Sequence, residues 1–349
     1  MDPVIKLFYS GSKALVTGGA SFIGSTLVDQ LVDLGANVVV LDDFSTGDLD
    51  HLSNSSQSIE VAEIDLRNSS STSRMLKHYK PDVVFHLAAI HGGRGFIETF
   101  QKRILDNLII DQNVYSSSLD TGVKMIVHAS SACAYPVHLQ SSESSRNLLK
   151  EPQANFTQPG GAFPDGTYGW VKLMGEYYLQ TNVEKSKTKG RSARIFTAYG
   201  ERENETHAAV ALTAKAVLKC DPFEIWGSGN QTRNFTYVSD TVQGLLYLGA
   251  DSRPIDFDVF NVGSSTHHTV NEFVNEILSQ AGHKPDSIVF NSNLPTGVAS
   301  RASDNTKIKE TFGWEPTVEI STGINNLLNW YKGWPKRALS TEDLKGRLI

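Results

Sequence analysis

Lys13-Ala14-Leu15-Val16-Thr17-Gly18-Gly19-Ala20-Ser21-Phe22-Ile23-Gly24 is the stretch that decides the fold of this 349-residue chain. Its apolar first half predicts a strand and its glycines a tight turn, and Leu27, Leu31 and Leu34 then share one face of a predicted helix. Glycines in such a turn let the backbone approach a pyrophosphate, and the helix N-terminus offers it free N–H groups. Ser21 stands where the middle glycine of the usual pattern lies. The turn predicts a dinucleotide site formed by the following residues: Gly18, Ser21, Phe22, Ile23 and Gly24.

The next apolar run, 37–41, ends in Asp42 and Asp43, about 20 residues after the glycines. A carboxylate at this point accepts hydrogen bonds from both ribose hydroxyls and repels a 2′-phosphate. No arginine follows it directly, so the sequence favours NAD over NADP, with Asp42 as the ribose ligand. The alternative interpretation is an ordinary turn followed by a solvated acidic loop.

Strand-like apolar runs alternate with helical patterns through the first half of the chain. The runs span the following residues: 14–17, 38–41, 59–64, 83–88, 125–129 and 193–196. This alternation predicts a Rossmann-type α/β fold, a doubly wound parallel sheet with helices on both faces. Ligands bind at the carboxyl ends of the strands in such sheets. Residues just after the third run and at the end of the fourth are therefore predicted cofactor contacts: Asp65, Leu66, Leu87, Ala88 and Ala89.

Beyond Tyr199 the pattern becomes less regular, which predicts a second, smaller lobe that is discontinuous in sequence. The predicted units are a nucleotide-binding domain over 1–198 with a return segment at 234–263, a smaller α/β substrate-binding lobe over 199–233 and 264–335, and a tail over 336–349. The polar segment 140–167 predicts a long loop over the active site. The tail is polar as well, and we predict that it is partly disordered.

Composition narrows the functional class. The chain is 40% hydrophobic with a net charge of −6, which gives no support to a nucleic-acid or membrane-surface role. It has no apolar run of 18 residues, and Met1-Asp2-Pro3-Val4 lacks the basic start of a signal peptide, so a cytoplasmic protein is predicted. Its two cysteines, Cys133 and Cys220, suggest a reducing compartment. No histidine or cysteine group has metal-ligand spacing, so no structural metal is predicted.

Tyr168-Gly169-Trp170-Val171-Lys172 places a tyrosine and a lysine one turn apart on a predicted helix. A free tyrosine has a pKa of about 10 and is a poor base at neutral pH. An ammonium one turn away favours the phenolate and is expected to lower that pKa. The pair predicts a base that takes a proton from a sugar hydroxyl while a nicotinamide takes the hydride.

These features resemble the extended short-chain dehydrogenases/reductases that act on nucleotide sugars, and among them the GDP-mannose 3,5-epimerases. The stretches that carry the resemblance are Gly92-Gly93-Arg94-Gly95-Phe96, Ser130-Ser131-Ala132-Cys133-Ala134-Tyr135-Pro136 and the segments 223–236 and 301–309. The resemblance spans nearly the whole chain. It implies bound NAD, a nucleotide-diphosphate sugar as substrate, and a homodimer formed through a four-helix bundle that includes the Tyr168 helix.

The resemblance also implies catalytic roles. Ser131 occupies the position of the Ser or Thr that assists the tyrosine. Cys133 occupies the position where related dehydratases carry a glutamate and the 3,5-epimerases a cysteine that exchanges a proton with carbon. The second acid/base of the epimerases is a lysine at a position that falls on His207 here, and histidine titrates near neutral pH. The predicted catalytic set is Tyr168, Lys172, Ser131, Cys133 and His207, while Cys220 is interpreted as structural.

Substrate contacts are predicted from the same resemblance and from chemistry. Guanidinium groups bind phosphate bidentately, which makes Arg202, Arg233 and Arg301 candidate diphosphate ligands. Trp226 either packs on the nucleotide base or fills the small lobe. The glycines of 92–95 permit close approach to the sugar. The predicted substrate-binding residues are therefore Arg202, Arg233, Arg301 and Trp226 together with Gly92, Gly93 and Arg94.

Three departures from the family pattern leave the reaction open. His207 replaces the family lysine, Arg94 replaces an apolar residue, and Thr197 stands where the relatives usually have asparagine. A 4,6- or 5,6-dehydratase and a simple 4-epimerase therefore remain alternatives. An NAD-sensing regulatory protein with an inactive site is the alternative from another class.

Overall fold

A computed structural model describes residues 3–348. Met1 and Asp2, on which the signal-peptide prediction partly rests, lie outside the described residues, as does Ile349. The strands are β1 Lys13–Thr17, β2 Asn37–Asp42, β3 Ile59–Glu63, β4 Val83–His86, β5 Met125–Ser131, β6 Lys189–Ile195, β7 Ala198–Tyr199, β8 Phe223–Trp226, β9 Thr232–Arg233, β10 Thr236–Tyr237, β11 Phe257–Val262, β12 His268–Thr269 and β13 Ile288–Asn291. The helices are α1 Pro3–Tyr9, α2 Phe22–Asp33, α3 Ser69–Tyr79, α4 Arg94–Thr99, α5 Gln101–Ile104, α6 Asn107–Thr121, α7 Gly166–Val183, α8 Ala208–Val217, α9 Val238–Gly249, α10 Val270–Ala281, α11 Thr306–Phe312, α12 Ile320–Gly333 and α13 Thr341–Arg347.

A parallel sheet of seven strands forms the centre of the first domain, in the order β11-β6-β5-β4-β1-β2-β3. The order reverses between β1 and β4, where Ala14 pairs with Val38 on one side and with Val83 on the other. In an open parallel sheet, such a reversal leaves a crevice at the carboxyl ends of the strands. The predicted Rossmann-type α/β fold is confirmed.

Both faces of the sheet are covered, because its strands alternate between two apolar clusters. Ala14 and Val16 point into a cluster with α1, α2 and α9, while Leu15 points into another with α3, α6 and α7. Successive side chains of a strand point to opposite faces, so a strand buried on both sides has to be apolar throughout. This explains the continuous runs in the sequence.

The second lobe has its own core. Helices α8, α10, α12 and α13 pack around Phe223, Ile225 and Phe273. The return of the chain at 234–263 is present, since α9 packs on the main sheet and β11 pairs with β6. One boundary differs from the prediction: α11 lies within the predicted lobe segment 264–335, yet its Ile308 packs into the core of the first domain.

The tail 336–349 was predicted to be partly disordered, but its described part, residues 336–348, is ordered. Ala338 and Leu344 are buried in the second lobe, and α13 is capped by Ser340, whose side chain accepts from the backbone N–H of Asp343. Arg347 forms an ion pair with Glu205. The burial of Ala338 and Leu344 in the second lobe outweighs the polar composition of this segment. Over residues 3–348, no helix is both long and apolar enough to cross a membrane.

Candidate active site

A cavity of about 700 Å³ lies at the carboxyl edge of the sheet, between the two domains. It extends from the N-terminus of α2, past the ends of β4 and β5, to the second lobe. The predicted site residues that line it are Ser21, Phe22, Ile23, Leu87, Ala89, Gly92, Gly93, Arg94, Ser131, Cys133, Tyr168, Lys172, Arg202, His207, Trp226, Arg233 and Arg301. One connected cavity thus contains both the predicted cofactor turn and the predicted chemistry.

The turn between β1 and α2 fits a dinucleotide. Gly18 has a positive φ of 68°, and a Cβ there would lie 2.8 Å from the Cα of Ala88, so the turn packs directly on the chain after β4. The Ser21 hydroxyl donates to the Gly18 carbonyl at 2.6 Å, which anchors the serine in place of a glycine. Gly24 packs tightly behind the turn, and Ser21, Phe22 and Ile23 face the cavity. The N–H groups at the start of α2 would receive the NAD diphosphate.

The remaining predicted cofactor residues lie outside the set that lines the cavity. Asp42 accepts from the backbone N–H groups of Ala20 and Phe44, each at 2.9 Å, and burial raises its pKa. Its contact with ribose stays a prediction. Asp65 forms a bidentate pair with Arg67, and the Leu66 side chain is buried in the core. The contact of Asp65 and Leu66 with the cofactor stays a prediction, and with these side chains bonded or buried it would fall to their backbone groups.

Tyr168 and Lys172 lie on the same face of α7, as the spacing predicted. The Lys172 Nζ donates to the carbonyl of Ala129 at 2.8 Å and lies 5.6 Å from the centre of the Tyr168 ring. The expected lowering of the Tyr168 pKa is not found. Burial raises that pKa well above its ordinary value, and the charges of Cys133 and Asp111 add to the effect. The sequence spacing predicts that Lys172 lies near Tyr168, but it does not show that Tyr168 is buried, and burial disfavours the phenolate.

Cys133 lies in a short 3₁₀ turn directly after β5, where Ser131 accepts from the Cys133 backbone N–H at 3.1 Å. The Arg301 guanidinium donates to the Cys133 sulfur at 3.3 Å and to the Asp165 carboxylate at 2.9 Å. A neighbouring guanidinium stabilises a thiolate over a thiol. Arg301 is therefore placed beside the thiol, and its prediction as a diphosphate ligand is not supported by these contacts.

Asp165 is a functional candidate that the sequence analysis missed. It is buried and also accepts from Arg94, at 2.9 Å. Burial acts to raise its pKa, but the charges of Arg301 and Arg94 outweigh this and lower it. Arg94 is thus part of a buried ion-pair network at the cavity wall. The only sequence signal for Asp165 is its place three residues before Tyr168.

His207 lies at the N-cap of α8, and its Nδ1 contacts Glu203 Oε1 at 2.8 Å. A carboxylate only accepts, so Nδ1 carries a hydrogen and Nε2 is left to take or give a proton. Glu203 is buried, and burial raises its pKa against the opposing charge of His207. Glu203 is a second residue that the sequence analysis missed; its signal is the i, i+4 spacing to His207.

His91 is the third missed residue. Its ring centre lies 4.9 Å from that of Tyr168 and 5.0 Å from that of His207, so it stands between them. Burial, followed by the charges of His207 and Lys172, lowers its pKa well below the ordinary value, which leaves the imidazole neutral. The sequence marks it only as a histidine shortly after β4.

The other predicted substrate residues have mixed placements. Gly93 packs against the loop before α8, where a Cβ would lie 1.8 Å from the Thr206 carbonyl, so the glycine serves this contact as well as the cavity. Gly92 packs on the ring of Phe96. Arg202 pairs with Asp29 of α2 at 2.7 Å, which assigns it a partner other than a diphosphate. Trp226 and Arg233 line the cavity on the second lobe.

The chain matches the family model of the NAD dependent epimerase/dehydratase family over residues 14–263. It is 32% identical over 323 residues to GDP-mannose 3,5-epimerase 1 of Oryza sativa subsp. indica, covering 91% of this chain and 81% of the relative. It is 28% identical over 326 residues to UDP-glucose 4-epimerase of Mycolicibacterium smegmatis, covering 92% and 98%.

Among solved structures, UDP-glucuronic acid 4-epimerase from Bacillus cereus in complex with UDP-glucuronic acid and NAD aligns with a TM-score of 0.80 and 25% identity. The alignment covers 92% of this chain and 99% of the other. The fold, the glycine turn after β1 and the sequence matches all indicate the same family. The chain belongs to the NAD-dependent epimerase/dehydratase family and is an enzyme that acts on nucleotide sugars.

Proposed function

We propose that this enzyme is a nucleotide-sugar epimerase of the GDP-mannose 3,5-epimerase type. It oxidises C4 of the sugar transiently, exchanges the protons at C3, C5 or both, and then reduces C4 again. The observation that carries the proposal is the presence of two further proton-exchanging groups, Cys133 and His207, in the same cavity as Tyr168. Each has a partner suited to such chemistry, Arg301 for the thiol and Glu203 for the imidazole.

Tyr168 takes the proton of the C4 hydroxyl and returns it at the end of the cycle. Lys172 favours the phenolate form, and Ser131 assists by hydrogen bonding to the same oxygen. NAD, when bound, would supply a positive charge and an acceptor for the C4 hydride, which it would later return. Because the hydride is returned, the sugar undergoes no net oxidation.

The 4-ketone acidifies the hydrogens on both neighbouring carbons. Cys133 and His207 then act as an acid/base pair: one removes a proton from one face of the ring carbon, and the other delivers a proton to the opposite face. Arg301 donates to the Cys133 sulfur and orients it. Glu203 contacts the Nδ1 atom of His207 and so fixes the orientation of the ring.

Incubation in D2O with GDP-mannose and, separately, UDP-glucose, followed by NMR of the products, tests the proposal. Deuterium at C3 or C5 together with an inverted configuration is the expected result. Inversion at C4 without deuterium would mean that the enzyme is a simple 4-epimerase. Loss of water with deuterium incorporation would mean that it is a dehydratase. Either of these outcomes overturns the proposal.

Replacement of Cys133 by alanine separates the two halves of the cycle. We expect Cys133→Ala to retain NAD and to lose carbon-bound deuterium exchange by about 10²-fold or more, the usual contribution of a general acid or base. Cys220→Ala is the matched control, since Cys220 is also a buried free thiol but bonds Thr341 in the second lobe. Normal exchange in Cys133→Ala would show that the thiol is not the acid/base.

A further inference from the structure

A buried polar cluster lies beneath the catalytic helix α7 and has no role in the chemistry above. It consists of His86 on β4, Asp111 and Tyr115 on α6, and His128 on β5, all at most 2% exposed. His86 Nε2 contacts Asp111 Oδ1 at 3.0 Å, and the Tyr115 hydroxyl contacts His128 Nδ1 at 2.7 Å. Such a concentration of buried polar groups is costly unless each is compensated.

The hydrogen bond to Asp111 defines which ring nitrogen of His86 carries a hydrogen. Asp111 as a carboxylate only accepts, so His86 Nε2 carries the hydrogen and donates it. On its other side, the His86 Nδ1 atom is hydrogen-bonded to the Thr17 hydroxyl, at 2.7 Å. Thr17 in turn accepts from the backbone N–H of Ala88, at 3.2 Å. Asp111 is therefore fixed by a chain of bonds that starts at the cofactor edge of the sheet.

The second oxygen of Asp111 faces α7. Asp111 Oδ2 and, beside it, His128 Nε2 are buried, and the oxygen has no hydrogen-bond partner within residues 3–348. Both approach α7 at Gly175, where a Cβ would lie 2.5 Å from the oxygen and 3.1 Å from the nitrogen. Gly175 follows Lys172 by three residues, so the two share a face of the helix. A glycine inside a helix is less stable than an alanine, and here it admits the carboxylate.

Among the groups near Lys172, Asp111 is the carboxylate with one oxygen left unpaired within residues 3–348. The titratable groups that interact with the lysine are Tyr168 and Glu176 on α7, Asp111 on α6, His128 on β5 and His91 beyond β4. Glu176 is already bound by Arg194, at 2.7 and 2.9 Å, and by the Ser130 hydroxyl. No carboxylate of the described chain forms an ion pair directly with Lys172.

We propose that Asp111 is a positioning residue for the catalytic pair: a buried carboxylate, held by His86 and Thr17, that keeps Lys172 protonated and aligned below Tyr168. The consequence for catalysis rests on the proposed acid/base roles of Tyr168 and Lys172. Electrostatics agree with the geometry. Burial lowers the pKa of Lys172, and Asp111 followed by Glu176 opposes this. Burial lowers the pKa of His128 to about 3, so His128 stays neutral and does not neutralise Asp111.

The test measures Lys172 directly in the NAD-loaded protein. With [13Cε]lysine, NMR follows the titration of Lys172, identified as the signal that Lys172→Met lacks. We expect the midpoint to fall by at least about one pH unit in Asp111→Asn, because an opposite charge nearby shifts a pKa by 1–3 units. Asp111→Ser repeats the loss of charge with a smaller side chain. Ser118→Ala, another buried polar residue of α6, should leave the midpoint unchanged. Equal midpoints in the wild type and both Asp111 variants would overturn the proposal.

Turnover separates this proposal from the proposed function. If Lys172 titrates as expected and acts with Tyr168, the alkaline limb of kcat/KM moves to lower pH in Asp111→Asn by the same amount. If the Lys172 midpoint shifts but the alkaline limb of kcat/KM does not, the pairing of Asp111 with Lys172 stands. The proposed acid/base role of Lys172 with Tyr168 is then wrong. A structural effect of the substitution would lower the rate equally at all pH values.

Wild-type protein supplies a test that needs no variant. 15N spectra of histidine-labelled protein should show His128 neutral at pH 7 and His86 protonated at Nε2. Donor atoms of His86, Asp111 and His128 lie within 4.8 Å of one another, a set that a divalent metal also accepts. Stoichiometric metal in the purified protein, or a charged His128, would show that Asp111 compensates another cation and would overturn the proposal.

Discussion

Asp165 shows how one residue organises the charges of the cavity. Its carboxylate accepts from both Arg94 and Arg301, and Arg301 in turn donates to the Cys133 sulfur. Buried charges of this kind are stable only when they are paired and hydrogen-bonded. The network therefore fixes the orientation of the guanidinium that contacts the thiol, and Arg94, which departs from the family pattern, has a structural reason to be present.

Glu203 offers a direct test of the second acid/base. Removing its charge in Glu203→Gln leaves the shape of the site but weakens control of the His207 tautomer, so proton exchange at carbon should fall by about tenfold. His207→Ala should fall by about 10²-fold or more. The measurement is deuterium wash-in at C3 and C5, with NAD content as a check on folding.

Glu310→Gln, which removes an exposed carboxylate on α11, is the control and should behave as the wild type. If Glu203→Gln matched that control, the contact of Glu203 with His207 would be structural and not catalytic.

Single residues show where sequence reasoning succeeds and where it stops. Tyr168 and Lys172 are visible because i, i+4 spacing is a local property of a helix. Asp165, His91 and Glu203 are not, since their roles arise when separate segments meet at the sheet edge. The Tyr168 pKa was predicted in the wrong direction because burial is a tertiary quantity, and the core position of Leu66 was missed for the same reason.

At the scale of elements, the turn between β1 and α2 carries the strongest structural requirement. Its Gly18 combines a positive φ with direct packing on Ala88. Gly18→Ala should reduce NAD content and lower the free energy of unfolding by about 1–3 kcal/mol, because both strain and a clash arise. Equilibrium unfolding and absorbance of released NAD measure the two effects.

Gly11→Ala separates strain from clash. Gly11 also has a positive φ, of 74°, but a Cβ there would meet nothing within 4 Å. This variant should lose about 1 kcal/mol and keep its NAD. Full NAD content in Gly18→Ala would mean that the turn does not receive the cofactor.

Elements also differ in how well the sequence predicts them. Six of the seven central strands are predicted to within a few residues, since short continuous apolar runs bounded by turn signals are typical of buried parallel strands. Helix α13 was missed, although Leu344 and its cap at Ser340 were present as signals. Helix α11 was assigned to the wrong domain, because a helical pattern does not say which core its apolar face meets.

At the scale of the whole molecule, α6 and α7 present an exposed apolar face. It comprises Leu108, Ile109, Trp170, Met174 and Tyr177. Two packed helices with such a face can form a four-helix bundle with a second copy. We therefore predict a homodimer through this face, which light scattering should show as about twice the chain mass of 38.3 kDa.

Ile109→Asp places a charge in this face and should yield a monomer. Val289→Asp is the control, because Val289 on β13 is similarly exposed, at 44% against 48%, but lies in the other lobe. A dimer that persists in Ile109→Asp would place the interface elsewhere. Since α7 also carries Tyr168, loss of the dimer is expected to lower turnover as well.

Arg233 has a practical consequence for anyone who handles this protein. Within residues 3–348 its guanidinium donates to the carbonyls of Thr232 and Thr296, and burial together with the Arg301 charge lowers its pKa to about 10. Even so it is a cation at neutral pH, and no carboxylate of the described chain forms an ion pair with it. Mobile anions therefore gain by entering the cavity. Phosphate and sulfate should act as competitive inhibitors, so buffers and crystallisation salts made from them would mask the affinity for substrate, whereas chloride-poor organic buffers would reveal it.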